Sequence, residues 1–212
     1  MVTAIITRNF DMFEYNELMS CKKCNLCQIR KQVVPGIGNI FSKIMFVGEA
    51  PGIDEDDQGI PFCGKSGKLV DKFIKFLGLD KKWVYVTNIV KCIPKDKLED
   101  RSSRKPTEEE ILFCMHYLNS EISSILPDII VTFGSVATEY LMHKPISITT
   151  INGSFQEISK YVCKLYTNRK PIFPVVHPSF VLRNSIVGKP LFLKAGNILK
   201  KELERIDDEI PF

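Results

Sequence analysis

The chain has 212 residues, 44% of them hydrophobic and 25% charged, a balance typical of a globular protein that buries its own core. Its length suits a single α/β domain, and no segment has the ~18 consecutive apolar residues that a membrane-spanning helix needs. The net charge of +4 permits a phosphate-bearing partner without identifying one.

The amino-terminal segment lacks the pattern of a secretory signal. Its only basic residue, Arg8, follows the short apolar run and precedes acidic residues. The chain has seven cysteines, an odd number, which argues against a disulfide framework and for metal binding or buried thiols. We therefore expect a cytoplasmic monomer without a membrane partner, folded as one domain over residues 1–212.

Four short apolar runs predict buried strands, at 43–47, 83–87, 128–133 and 172–176. Between them, apolar residues share one helix face over 69–77 and again over 111–125. Thr107 and Glu110 form a capping-box pattern before the second of these helices. Further helices are predicted at 135–142 and 190–206. This alternation is typical of a parallel sheet covered on both faces.

Polar or glycine-bearing segments follow all four predicted strands. They are Gly48–Gly52, Thr87–Asn88, Gly134–Ser135 and His177–Ser179. Ligands of parallel α/β sheets bind just beyond the carboxyl ends of the strands. Because Glu, Asn and His side chains would meet at one edge of the sheet, the sequence predicts an active site there.

The cysteines form a second constellation. Cys21 and Cys24 make a C-x-x-C hook at 21–27, Cys92 follows the second strand, and Cys114 lies on the capped helix. Four thiolates from two such pairs suit a tetrahedral zinc ion or a 4Fe-4S cluster, and the spacing does not choose between them. Considered without the other cysteines, Cys114 would be predicted to be a buried core thiol on an apolar helix face. Cys27 could replace Cys21 or Cys24 as a ligand. The remaining cysteines, Cys63 and Cys163, are expected to be packing residues.

These motifs, in this order, resemble the family 4 uracil-DNA glycosylases, the iron-sulfur enzymes of archaea and thermophilic bacteria. The resemblance runs from Cys21 to about Arg183. Its motifs are Cys21-x-x-Cys24, Phe46-Val-Gly-Glu-Ala-Pro-Gly52, Pro61-Phe-Cys-Gly-Lys-Ser-Gly67, Thr87-Asn-Ile-Val-Lys-Cys92, the Pro106-Thr-Glu-Glu segment before Cys114, and Val176-His-Pro-Ser179. The resemblance implies a three-layer α/β/α fold with a four-stranded parallel sheet. It also implies a 4Fe-4S cluster held by Cys21, Cys24, Cys92 and Cys114.

The implied reaction is monofunctional hydrolysis of the N-glycosidic bond of uracil in single- or double-stranded DNA. His177 would donate a hydrogen bond to the uracil oxygen that gains negative charge, and Asn88 would pair with the edge of the base. Phe62 would stack on the base. Glu49 and Glu55 are the candidates for positioning water and stabilising the cationic sugar. The main chain at Ala50 would also bind uracil.

The target base must leave the duplex, and the resemblance assigns several residues to DNA. Leu182 is a candidate for the apolar wedge and Arg183 for a phosphate contact. Ser179, counted with the substrate-binding residues, and Lys65 and Ser66 in the 64–67 turn offer further polar contacts. The basic segment that leads from Lys91 and Cys92 to Cys114 is expected to lie along DNA; its cations are Lys91, Lys95, Lys97, Arg101, Arg104 and Lys105.

Two alternatives stay open at this point. The chain could be a non-catalytic iron-sulfur protein that binds nucleic acid or serves as a replication accessory. The acidic tail at 207–212 resembles the carboxyl-terminal tip of bacterial single-stranded-DNA-binding proteins, which implies a replication or repair protein as partner. A frayed acidic tail is the plainer interpretation of that segment.

Overall fold

The fold is a three-layer α/β/α sandwich around a five-stranded sheet. The computed structural model describes residues 12–159 and 172–209. The strands are β1 (Ile37–Gly38), β2 (Ile44–Gly48), β3 (Tyr85–Asn88), β4 (Ile129–Phe133) and β5 (Ile172–Val175). Their order is β1-β3-β2-β4-β5, and every neighbouring pair is parallel except β1 and β3. The α/β fold predicted from sequence is confirmed, with one more strand than expected.

The additional strand, β1, lies at the edge of the sheet. It pairs Ile37 with Val86 and Gly38 with Tyr85 in antiparallel register. Two residues are too short to produce the alternation that predicts a strand, and Gly38 has a φ of 137°. The four longer strands begin and end within two residues of their predicted positions.

The two faces of the sheet pack against different sets of helices. Met45 and Val47 point into one core, and Phe46 points into the other, as the two-residue period of a strand requires. The first face is covered by α1 (Met12–Met19), α2 (Leu26–Ile29), α5 (Glu108–Ile125) and α6 (Ser135–Met142). The second is covered by α4 (Lys65–Phe76), α8 (Pro178–Arg183) and α9 (Ser185–Glu209). Two short helices, α3 (Ile53–Gln58) and α7 (Ile148–Ile151), and a 3-10 turn at Lys81–Trp83 complete the described elements.

Local sequence explains where the main helices begin. In α5 the Thr107 hydroxyl accepts the Glu110 N–H, and the Glu110 carboxylate accepts the Thr107 N–H, so the predicted capping box is present. Helix α9 starts earlier than predicted because the Asn184 side chain accepts the Val187 N–H at 3.3 Å. Pro190 therefore lies inside the helix, where it removes one main-chain donor.

The chain order of the strands creates the crevice that the site occupies. The chain leaves central strand β2 for β3 on one side and later returns to β4 on the other, so the connections diverge at the carboxyl end of β2. Crevices of this kind are where open α/β sheets bind ligands. The backbone of α9 continues to Glu209, so the first part of the predicted acidic tail is helical. Residues 210–212 and Cys163 lie outside the described residues.

No helix in the described parts of the chain has the length and apolar content to cross a bilayer.

Candidate active site

A cavity of about 420 Å³ opens at the carboxyl ends of the parallel strands. This volume is within the roughly 300–1,000 Å³ range of small-molecule sites. All four predicted segments reach it, and it is lined by Glu49, Ala50, Gly52, Glu55, Phe62, Ser66, Asn88, Ser103, Arg104, Lys105, Gly134, Ser135, His177, Ser179 and Arg183. The tertiary structure thus brings together residues that are up to 134 positions apart in sequence, from Glu49 to Arg183.

His177 follows β5 and is the N-cap residue of α8. Its Nδ1 accepts the backbone N–H of Ser179 at 3.1 Å and lies 2.7 Å from the Ser179 hydroxyl. A backbone N–H can only donate, so Nδ1 is the acceptor and the neutral ring carries its proton on Nε2. Burial, with a smaller contribution from Arg183, lowers the pKa of His177 to about 4. At neutral pH the ring is therefore an uncharged Nε2–H donor.

Gly134 makes room for this imidazole. Its φ of 90° is in the left-handed region that favours glycine, and a Cβ at this position would lie 3.1 Å from the Cβ of His177. The Gly134 N–H also donates to the Val175 carbonyl at 2.9 Å. This hydrogen bond joins the end of β4 to the end of β5 next to His177.

Asn88 and Phe62 converge over Gly48. Asn88 is 3% exposed, and within the described residues its side-chain amide has no hydrogen-bond partner. A Cβ on Gly48 would overlap the Asn88 Oδ1 atom and lie 2.5 Å from Cζ of Phe62. The missing side chain at Gly48 therefore allows an amide and an aromatic ring to line one end of the cavity.

Phe62 adopts a backbone conformation that is unusual for a bulky side chain. Its φ is 54°, and its ring contacts Phe133 edge-on with centroids 5.9 Å apart. Gly67 accommodates the turn, because a Cβ there would collide with the Phe62 carbonyl. Strained residues held by surrounding structure are concentrated at functional sites. The ring is thus fixed in the cavity wall before any ligand arrives.

The two predicted carboxylates have different surroundings. Burial raises the pKa of Glu49, while Lys105 and Arg183 oppose this by favouring its ionised form. The Glu55 oxygens instead accept the backbone N–H groups of Gly52 at 3.0 Å and Gly64 at 2.9 Å. Glu55 therefore joins the loop after β2 to the start of α4, and Glu49 is the carboxylate that faces the cavity without an amide donor among the described residues.

The residues assigned to DNA are at or near the mouth of the cavity. Ser66, Ser179 and Arg183 line it, whereas Lys65 is exposed beside it at the start of α4. Leu182 lies in α8 with 53% of its surface exposed, so its side chain is accessible for the predicted role of apolar wedge. Roles in DNA binding stay predictions for all of these residues.

A segment of the site that the sequence did not indicate is 103–105. Ser103, Arg104 and Lys105 line the cavity, although they were expected only to lie along DNA with the rest of the basic segment. Arg104 holds the segment in place: its guanidinium donates to both Glu110 oxygens at 2.7 and 2.8 Å and to Asp96 at 2.6 Å. The signal available in the sequence was a run of cations, which does not reveal where each one points.

Two members of that basic segment cannot contact DNA, and the expectation for them was wrong. Lys91 is fully buried and bonded to Glu121 at 2.7 Å. Lys95 is 4% exposed and lies 3.9 Å from Asp56. Both have acidic partners brought from distant parts of the chain. The exposed cations Lys97, Arg101 and Lys105 still fit the prediction.

The four predicted metal-ligating cysteines lie together at the edge of the first core. Cys92 and Cys114 are buried there, and the partly buried Cys21 and Cys24 pack against the same cluster. Burial is the main effect that raises the pKa of Cys92 to about 12 and of Cys114 to about 11, and neighbouring thiols contribute in the same direction. Arg30 donates to the Cys92 sulfur at 2.9 Å and to the Cys21 carbonyl at 2.6 Å.

Two observations test whether this pocket of thiols fits a metal group. The Tyr117 hydroxyl is buried beside Cys21, and burial followed by this thiol raises its pKa. Arg30 supplies a positive charge next to the sulfurs, which suits an anionic metal–thiolate group. In the described parts of the chain, no three His, Cys, Asp or Glu side chains already form a metal site. The donor chemistry fits a thiolate-bound metal group.

Comparison with known proteins identifies the family. The model of the uracil DNA glycosylase superfamily matches residues 35–200. A type-4 uracil-DNA glycosylase of Saccharolobus solfataricus is 41% identical over 188 residues, which cover 86% of this chain and 82% of that protein. The corresponding values are 43% over 180 residues for Sulfurisphaera tokodaii, covering 82% and 77%, and 36% over 182 residues for Thermotoga maritima, covering 82% and 88%. The chain therefore belongs to the uracil-DNA glycosylase superfamily and, within it, to the type-4 uracil-DNA glycosylases.

Proposed function

We propose that this protein removes uracil from DNA by hydrolysing the N-glycosidic bond, which leaves an abasic site. The observation that carries the proposal is the cavity in which Glu49, Phe62, Asn88 and His177 meet at the ends of four strands. In the reaction, the bond between the sugar C1′ and uracil N1 breaks, and its electron pair leaves with the base. A water oxygen then bonds to C1′ and loses a proton.

His177 would stabilise the leaving base. Its Nε2–H group is free to donate to the uracil oxygen on which negative charge grows, because Nδ1 is already bonded to Ser179. A neutral donor suits this task, since it needs no proton from solvent and is not itself consumed. The Ser179 backbone fixes the ring orientation before the substrate binds.

Asn88 and Phe62 would select the base. The amide of Asn88 can donate to the carbonyl and accept from the adjacent N–H on the pairing edge of uracil, whereas cytosine presents the opposite pattern. Phe62 would stack on the ring, a contact worth about 1–3 kcal/mol. Both side chains border Gly48, and this supports their acting on one base.

Glu49 is the carboxylate that we assign to the water and the cationic sugar. Glu55 accepts two backbone amides, so we assign it the role of positioning the loops on either side of the cavity. The main chain at Ala50, which also lines the cavity, would contact the uracil. No metal-bound water is required by this assignment.

The base must be rotated out of the helix, at a cost of a few kcal/mol. Leu182 would fill the gap in the base stack, and Arg183 would contact the backbone of the strand.

A uracil-containing oligonucleotide, incubated with the protein and then treated with alkali, tests the whole proposal. Strand cleavage at the uracil is expected, and an intact strand would contradict the proposal. The same assay on single- and double-stranded DNA gives the strand preference.

Lys105 is expected to contact a phosphate next to the flipped nucleotide. Replacing it by Gln should weaken binding of uracil-containing DNA and reduce the slope of log affinity against log salt by about 1, because one fewer counterion is released. Lys82→Gln is the matched control, since Lys82 is an exposed lysine just before the amino end of β3, at the end of the sheet opposite the cavity. Equal salt slopes for the wild type and Lys105→Gln would exclude the contact.

We infer further that Cys21, Cys24, Cys92 and Cys114 hold a 4Fe-4S cluster. The resemblance of the motifs to the iron-sulfur family 4 enzymes, the buried thiols and the adjacent Arg30 support it. When bound, the cluster would supply a structural crosslink between the amino-terminal hook and the segment from Cys92 to α5.

Metal and sulfide analysis of the purified protein tests this assignment. We expect about four irons and four sulfides per chain, a brown colour, and loss of both in Cys114→Ala. Cys63→Ala is the control, because Cys63 is outside the core cluster that contains the four thiols, and the change is expected to leave the iron content unchanged. A colourless, fully active protein with one zinc per chain would overturn the assignment.

A monomer in the cytoplasm is the working state that we propose, supported by DNA as substrate and by the free cysteines of the described residues. The acidic tail at 207–212 stays a prediction as a docking segment for a replication or repair protein. Deletion of Ile210 to Phe212 should abolish recovery of such a partner if the tail binds it.

A further inference from the structure

A lysine and a glutamate are buried together next to the main chain of Asn88, the residue proposed to recognise uracil. Lys91 and Glu121 are 0% and 1% exposed, and their charged groups are 2.7 Å apart. The Lys91 ammonium also donates to the Thr87 hydroxyl at 2.6 Å and to the Asn88 carbonyl at 2.8 Å. All three of its N–H donors are therefore used, and one of them holds the main chain of Asn88.

Glu121, the acidic member of this network, also has hydrogen-bond partners besides Lys91. Glu121 accepts the Thr87 hydroxyl at 2.9 Å and the Tyr85 hydroxyl at 3.3 Å. Burial and the nearby carboxylate raise the pKa of Tyr85, so its phenol stays a donor. A Cβ on Gly36 would lie within 2.6 Å of both Glu121 and Tyr85, so the backbone of Gly36 packs closely against this end of the network.

Stability alone does not account for this arrangement. A buried ion pair costs so much desolvation that an apolar pair of the same volume is often as stable or more so. What an apolar pair cannot do is hold the Asn88 carbonyl. The ammonium spans the turn from Asn88 to Lys91 at the carboxyl end of β3, where regular strand pairing stops.

The turn is anchored on its other sides as well. The N–H groups of Ile89 and Val90 donate to the Gly48 and Glu49 carbonyls at 3.0 Å each, and the Lys91 carbonyl accepts the Val34 N–H at 2.8 Å. Movement at this turn would therefore shift Asn88 relative to Gly48 and Glu49. A displacement of about 1 Å at a reacting site can cost ~10²-fold in rate.

We propose that Lys91 and Glu121 are positioning residues that fix the main chain of Asn88 and thereby set how its amide meets uracil. The proposal rests on the proposed function, because it takes Asn88 as the group that recognises the base. The ion pair lies on the face of the sheet opposite the Asn88 side chain, in the core covered by α5, and touches neither uracil nor DNA.

A double-mutant cycle tests the proposal. The triple variant Lys91→Met, Thr87→Val and Glu121→Leu replaces three polar side chains of the network by apolar side chains of similar size and leaves Tyr85 in place. We expect kcat/KM for uracil release to fall about 10- to 100-fold. In an Asn88→Ala background the same three changes should lower it by less than about threefold, because the residue they position is gone. Equal effects in the two backgrounds would overturn the proposal.

A second readout is independent of catalysis. Amide hydrogen exchange at Ile89 and Val90 should be at least about tenfold faster in the triple variant than in the wild type, and unchanged exchange there would overturn the proposal. Failure of the wild type itself to release uracil would instead count against the proposed function. Metal content and thermal unfolding of each variant identify any general damage.

If the triple variant does not fold, Glu121→Gln decides the matter. The substitution keeps the shape of the side chain but replaces the carboxylate by a neutral amide, which bonds the Lys91 ammonium less strongly. Because Lys91 positions Asn88, we expect inhibition by free uracil to weaken about threefold or more. Inhibition equal to that of the wild type would overturn the proposal. The surface ion pair of Glu202 and Arg205, 2.6 Å apart on α9, is the control; Glu202→Gln should leave uracil inhibition unchanged.

Discussion

His177→Ala is expected to lower kcat for uracil release by about 10²–10³-fold, while DNA binding changes little. The substitution removes a donor that is pre-oriented toward the departing base, and donors of this kind contribute mainly in the transition state. Single-turnover measurement of alkali-sensitive sites in a uracil-containing oligonucleotide gives the rate. A separate binding measurement gives the affinity.

The control for this variant is His116→Ala, because His116 is an exposed histidine on α5 outside the cavity. It should retain wild-type activity. Equal activity in His177→Ala and the wild type would remove His177 from the mechanism. If neither version releases uracil but both bind DNA, the non-catalytic alternative would be correct.

The pKa of His177 provides a related measurement. Nuclear magnetic resonance titration of the chain's three histidines, with His177→Ala to assign the signal, should show one ring that titrates near 4. The unfolded chain binds this proton near pH 6.5, before the folded protein does. The contribution of His177 to folding is therefore fully favourable above about 6.5 and is lost as the pH falls toward 4. Titration of the His177 ring itself at 6.5 would contradict the buried neutral donor.

Asn88→Ala should reduce kcat/KM for uracil by about 10²–10³-fold. The amide would make two hydrogen bonds to the base, and bonds of about 1.5–2 kcal/mol each give a loss of this size. Free uracil should also lose most of its inhibitory effect, because the same amide binds the product. Steady-state kinetics with and without added uracil measures both.

Stability distinguishes this result from a folding defect. Within the described residues the Asn88 amide has no partner, so its removal should change the free energy of unfolding by less than about 1 kcal/mol. Asn39→Ala is the control for activity, because Asn39 lies at the opposite end of the sheet, where it accepts the Phe41 N–H. Wild-type kinetics in Asn88→Ala would exclude base recognition by this residue.

Much of the site could be predicted because parallel strands impose a common direction. A short apolar run that ends at Gly48, Asn88 or His177 is visible in sequence, and parallel pairing brings those ends to one edge. The α5 capping box was equally visible, since both partners are three residues apart. These features depend on local pattern and on one general rule of sheet topology.

Other features depend on partners that are distant in sequence. Lys91 and Glu121 are 30 positions apart. The sequence therefore shows Lys91 only as one member of a run of cations, and not that it is buried and paired. Glu55 lay in an acidic run and was a candidate for water, but its oxygens accept amides from two loops. The entry of 103–105 into the cavity likewise depends on Arg104 and Glu110.

The sequence by itself determined the α/β class and the strand ends that form the site, because hydrophobic period and motif spacing are local properties. Its motifs also carried the resemblance that implied the removal of uracil. Only the tertiary structure decided which charges face the cavity and which are buried. A charged side chain leaves water only when the fold supplies a partner for it, and that partner is chosen by packing across the sheet rather than by position along the chain.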